Sequence, residues 1–143
     1  MPNGIVVGVD GSEGASKALE WAIAEARLRT APLRIVSAWH VPMGAYGAPG
    51  FAPAVSPPLR QSISEEAERL AEDAVRRAKD AGLEQVAHLV REGQAAGILT
   101  EAATDADLLI VGTRGHGGFA DLLLGSVSSQ CAHHASCPVV IVR

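Results

Sequence analysis

The residues best suited to chemistry lie near the C-terminus: Gly112-Thr113-Arg114-Gly115, nine further residues, then Gly125-Ser126. They follow a short apolar run, Leu108-Leu109-Ile110-Val111, and precede a segment predicted to turn helical at about Ser126. Glycine lets a backbone bend sharply and lets a ligand approach it closely. The free N–H groups at a helix start then face that ligand, and the helix dipole favours negative charge there. Two glycine turns in one loop point to an anion with more than one phosphate. Arg114 and His116, inside the loop, can add charge-assisted hydrogen bonds. A second polar turn, Asp10-Gly11-Ser12, follows the apolar run Ile5-Val6-Val7-Gly8-Val9. Taken alone it is an ordinary turn whose Ser12 caps a helix.

Several familiar phosphate chemistries are excluded by spacing. A Walker A loop needs Gly-Lys-Ser/Thr, and the chain has no Gly-Lys pair. The first turn spaces its glycines as Gly8, Gly11 and Gly14, three and three, which is not the dinucleotide pattern GxGxxG. A phosphate-accepting Asp at the end of the third strand is also missing, since that strand closes on Val90-Arg91-Glu92. His133 and His134, with Cys131 and Cys137, raise the question of a metal. Adjacent helical histidines point about 100° apart and cannot easily share an ion, and zinc needs more convergent ligands. Both cysteines read as reduced, small, apolar residues.

The elements that must position these loops follow from hydrophobic pattern. Ile5 to Val9 reads as a buried strand, and Ala15, Ala18, Leu19, Ala22, Ile23 and Ala26 give the next helix one apolar face. Leu33 to Trp39 is a second strand. Residues 41–60 hold five prolines and three glycines, which predicts an irregular loop throughout. It reads first as a surface loop, with a lid or partner contact as the functional alternative. A long helix is then expected from a Ser62/Glu65 capping box or from Ser64, with Ala67, Leu70, Ala71, Ala74 and Ala78 inward and Gly82 as its stop. Gln85 to Val90 is a third strand, with Arg91-Glu92-Gly93 as the turn after it. Ala95, Ile98, Leu99, Ala102 and Ala103 mark a third helix. Leu108 to Val111, a helix over 126–135, and Val139 to Val142 complete the order. Strand and helix alternate, so the fold class is α/β: one doubly wound, Rossmann-like parallel sheet with helices on both faces. In such sheets ligands bind beyond the carboxyl ends of strands where the order reverses. If strands one and four are neighbours, the two polar turns face each other across that crevice.

Composition agrees. The chain has 143 residues, enough for one domain over 1–143 with a full core. Nearly half the residues are hydrophobic but only 3% are aromatic, which suits small-residue helices packed close on a sheet. The net charge is −4 and no basic stretch occurs, which argues against nucleic acid as a main partner. The start of the chain lacks the regions of a signal peptide. No apolar run approaches the ~20 residues that span a bilayer. A cytoplasmic protein with no membrane partner is expected.

These residues together resemble the universal stress proteins, in particular their nucleotide-binding branch. The family motif G-x2-G-x9-G-(S/T) is matched without departure by Gly112, Gly115, Gly125 and Ser126. The opening Val6-Val7-Gly8-Val9-Asp10-Gly11-Ser12 and the ending Cys137-Pro138-Val139-Val140-Ile141-Val142 are also similar, so the resemblance covers nearly the whole chain. It implies five strands in the order 3-2-1-4-5 and ATP, with Mg²⁺ on its phosphates, in the crevice between strands one and four. It implies Asp10 at the adenosine, with Gly11 and Ser12 in the same turn, and Trp39 beside the adenine. It implies that Gly112 and Gly115 let the loop wrap the ribose and first phosphate, and that Gly125, Ser126 and Ser128 hold the later phosphates, with Thr113, Arg114, His116 and Val127 also among the nucleotide-binding residues. It also implies a homodimer formed through the last strand, 139–142, an apolar edge of the kind that invites pairing.

The function expected from this resemblance is ATP-binding in stress response or regulation. Two rivals stand beside it. A weak ATPase or nucleotidyl-transfer enzyme needs a positioned water and a general base, for which Asp10 and His116 are the only candidates near the motif. A dimeric interaction module without nucleotide is the other, and the intact glycine motif argues against it.

Overall fold

A computed structural model of the chain describes residues 3–41, 56–113 and 124–143. Among them strand and helix alternate: β1 (Ile5–Gly8), α1 (Glu13–Arg29), β2 (Leu33–Trp39), α2 (Pro57–Asp80), β3 (Val86–Glu92), α3 (Ala95–Ala102), β4 (Leu108–Gly112), α4 (Ser126–His134) and β5 (Val139–Val142). The five strands form one parallel sheet in the order β3-β2-β1-β4-β5. The expected class and strand order are therefore observed.

The sheet is sandwiched because successive strand residues point to opposite faces. One face, with Ile5, Val7, Leu33, Ile35 and Ile110, packs on the apolar stripe of α1 and on Ala74 and Ala78 of α2. The other, with Val6, Val36, Leu109 and Val111, packs on Ile98 and Leu99 of α3 and on Cys131 of α4. β1 and β4 lie in the middle and are buried on both faces, which is why they read as continuous apolar runs. In α2, Ala67, Ala71, Ala74 and Ala78 are buried at spacings of four and three, so that helix lies close on the sheet. No described helix is long and apolar enough to cross a membrane.

Three expected boundaries are corrected. Residues 57–60 are not irregular: α2 begins at Pro57, with Ser56 at the N-cap position and prolines in its first turn. A proline there lacks only an N–H that the helix would leave unpaired, and its φ is already helical. The Ser62/Glu65 box therefore lies inside the helix, where Gln61 Nε2 donates to Glu65 Oε1 at 2.8 Å. Arg91 and Glu92 are not a turn but the last two residues of β3, held in register by Ala38 and Trp39. β4 runs one residue further than expected, to Gly112, which pairs with Val142.

Candidate functional site

β1 and β4 are neighbours, yet the chain crosses from β1 to β2 on one side and from β4 to β5 on the other. Their carboxyl ends thus diverge, and an open cleft forms there. The two polar turns expected to face each other do so. Asp10 and Ser12 line the cleft from the β1 side; Gly112, Thr113, Gly125, Val127 and Ser128 line it from the β4–α4 side.

The first turn is shaped by its own side chains. Gly11 has φ +82°, a region that favours glycine. Asp10 Oδ1 accepts the Ser12 N–H at 2.9 Å, and Ser12 Oγ accepts the Ala15 N–H at 3.1 Å. Ser12 is therefore the N-cap of α1, as its sequence context predicted. The start of α4 is built differently. Its N-cap is Gly125, extended at φ −79° and ψ 173°, with no side-chain cap. Ser129 is the first residue whose N–H turns back to the cap carbonyl, at 3.0 Å. In the turn before it, Gly125, Val127 and Ser128 line the cleft, and the first N–H groups of a helix have no partner within it.

The glycine loop is pinched shut at its base. The Thr113 carbonyl accepts the Gly125 N–H at 2.5 Å and the Ser128 hydroxyl at 2.8 Å. Ser128 Oγ also lies 3.1 Å from the Gly125 carbonyl, and the residue is buried. The Thr113 N–H in turn donates to Val142 of β5 at 2.9 Å. The buried hydroxyl of Ser128 is thus committed to the loop base.

The β2–α3 side of the cleft is apolar: Val36, Ala38, Ala95 and Leu99. These were not picked out from sequence, although the alternation of β2 carried the signal, since Val36 and Ala38 share a face. Trp39 lies outside the cleft lining, one residue on and therefore on the opposite face, with the Arg60 guanidinium 5.5 Å from its ring centroid. Gly11 lines a neighbouring groove between α1 and α2 rather than the cleft itself. Ser126, the first residue of α4, accepts from Gln130 Nε2 at 3.1 Å. Arg114, Gly115 and His116 lie outside the described residues.

Among the described residues of the lining, Asp10 alone carries a formal charge. No cluster of three His, Cys, Asp or Glu suited to a metal occurs among the described residues. Cys131 faces the core from α4, and burial, reinforced by Cys137, pushes its thiol up to about 11. Burial raises Cys137 as well. Neither cysteine lines the cleft.

The model of the Universal stress protein family matches residues 1–143. The chain belongs to the universal stress protein family. It is 34% identical over 147 residues to universal stress protein Rv2624c of Mycobacterium tuberculosis, an alignment that takes in 97% of this chain and 47% of that protein. The chain spans about half the length of the mycobacterial relatives it matches. A Thermus aquaticus universal stress protein is 36% identical over 141 residues, with 97% of each chain covered. Among solved structures, universal stress protein UspA from Lactobacillus plantarum has the same fold, with a TM-score of 0.84 at 22% identity over 98% of this chain and 97% of that one. A universal stress protein in complex with cAMP has a TM-score of 0.70 at 28% identity over 97% and 95% of the two chains.

Proposed function

We propose that this universal stress protein holds ATP in the cleft between β1 and β4 and acts in stress response or regulation through that bound state. The observation that carries the reading is the uncapped start of α4, lining a cleft whose other wall is small and apolar. A polyphosphate supplies the charge and acceptors that the α4 N–H groups lack from a side chain. A flat base fits against Val36, Ala38 and Leu99, and the Asp10 carboxylate, also in the lining, can accept from a ribose or base donor. The residues present therefore fit an adenine nucleotide, and a related protein of the family was solved with cAMP. Mg²⁺ would ride on the phosphates, since Asp10 is the one described carboxylate of the lining.

Holding is favoured over turnover. Phosphoryl transfer needs an oriented nucleophile and neutralisation of developing charge. Apart from Asp10, the described lining offers hydroxyls, backbone and hydrocarbon. We further infer that residues 1–143 act as one domain and pair as a homodimer along β5, the outermost strand on its side of the sheet.

The test is mass analysis of nucleotide released from the purified protein, followed by calorimetric titration of the stripped protein with ATP and Mg²⁺. Released ATP and a saturable heat are expected. Protein that carries no nucleotide and gives no heat would overturn the reading and favour a nucleotide-free interaction module.

A further inference from the structure

The wall that carries Ala38 is only half supported by the sheet. β2 pairs with β1 over four residues, Leu33 to Val36, but with β3 over seven, Leu33 to Trp39. The last β1 contact is the Val9 N–H donating to the Val36 carbonyl at 2.9 Å, after which the chain turns away through Asp10. Ser37, Ala38 and Trp39 therefore project past β1 with a strand neighbour on one side only. Of the three, Ala38 lines the cleft.

Arg60 is placed to brace this projecting end. It rises from the first turn of α2, on the face of β2 opposite the cleft. Its guanidinium lies 5.5 Å from the Trp39 ring centroid and forms an ion pair with the Glu92 carboxylate. Trp39 and Glu92 are partners in the β2–β3 register, so one guanidinium spans the last rung of the ladder. The Gly93 N–H donates to the Trp39 carbonyl at 2.8 Å and closes that rung from the backbone side. Cation, ring and carboxylate thus tie α2, β2 and β3 together directly behind Ala38.

We infer that Arg60 is a positioning residue for the nucleotide cleft: by clamping Trp39 to Glu92 it fixes the β2 end and hence the apolar wall at Ala38. The inference rests on the nucleotide reading above for its ligand, and on geometry alone for the clamp. Trp39 then acts from behind the wall, and not as a ring stacked on the bound base.

The experiment uses a Trp21→Phe parent, which leaves Trp39 as the only tryptophan. Arg60→Ala is expected to red-shift Trp39 emission, raise its quenching by acrylamide, and weaken ATP binding by roughly threefold to tenfold. Arg60→Lys keeps a cation and is expected to restore most of both. Emission that does not change in Arg60→Ala overturns the clamp. A shifted emission with parental ATP affinity overturns its link to the cleft while leaving nucleotide binding intact. If the parent binds no ATP, the functional reading fails instead. The clamp is then judged on emission alone, upheld by the shift and overturned by constancy.

Discussion

Gly112 and Gly14 meet backbone against backbone: a Cβ built on Gly112 would lie 2.7 Å from both the carbonyl carbon and the oxygen of Gly14. Real side chains do not come so near, so β4 runs past the start of α1 only because Gly112 has none. The first glycine of the motif thus serves the packing of the end of β4 on the first turn of α1. Gly112→Ala is expected to cost about 1–3 kcal/mol of stability through the forced backbone shift. A lower urea midpoint with unchanged slope, in protein stripped of nucleotide, would show it; an unchanged midpoint would refute the close approach.

Gly115, the second glycine, lies outside the described residues and owes its assignment to the motif. Gly115→Val is expected to abolish the proposed ATP binding with the fold intact, because the motif assigns this position to the path proposed for the phosphates. Calorimetry and circular dichroism check the two halves of that statement. Unchanged affinity would sink the placement of the site.

Gly125 offers the sharpest separation of stability from binding. Its φ and ψ suit any residue, and it occupies an N-cap position. In Gly125→Asp a carboxylate takes the place proposed for the phosphates. The helix gains a few tenths of a kcal/mol, since aspartate caps somewhat better than glycine, while ATP affinity collapses. A rise in Tm of the stripped protein together with loss of the titration heat is the expected pair of results. Retained ATP affinity would argue against phosphates at α4.

Ser128→Ala removes a buried hydroxyl from the Thr113 carbonyl, which keeps the Gly125 N–H. The loss is about 1 kcal/mol of stability. Binding weakens only modestly, because the backbone N–H of residue 128 is retained. An affinity loss as complete as that of Gly125→Asp would mean that the hydroxyl itself touches the ligand.

Cys131 makes stability fall with alkaline pH. Its thiol ionises at about 11 in the folded chain against an ordinary value of 9.0. The folded state therefore holds a proton that the unfolded chain releases between these values. Its contribution is complete below about pH 9 and is lost as pH rises to about 11. Urea midpoints should drop across that window, and should drop less in Cys131→Ala, compared with each variant's own value at pH 8. Cys137, half-buried, should react with a thiol reagent before Cys131 does.

Much of this molecule is legible in one dimension because its determinants are local. Short β-branched runs, helical alanine spacing and the turn residues between them specify element type and order, and alternation of strand with helix specifies a parallel sheet. The motif spacing points to the loop after β4, and Asp10-Gly11-Ser12 to the turn after β1. What misled was also local. Prolines at 57 and 58 signalled a break, yet in a first turn they start a helix. Arg91 and Glu92 looked like a turn by composition, yet the backbone of Ala38 and Trp39 pairs with them as strand.

The residues by themselves determined that two polar, glycine-bearing turns follow strands one and four, and that Ser12 caps a helix. Only the tertiary structure decided what stands opposite them. It puts Ala38 and not Trp39 on the cleft wall, because adjacent strand residues point to opposite faces and α2 covers one of those faces. It gives Gly112 a packing duty against Gly14, and it gives the Ser128 hydroxyl to the Thr113 carbonyl. Each of these depends on a contact between residues far apart in the chain. No spacing along the sequence encodes such a distance; it appears only when the sheet sets β1 beside β4 and lays α1 and α4 over their ends.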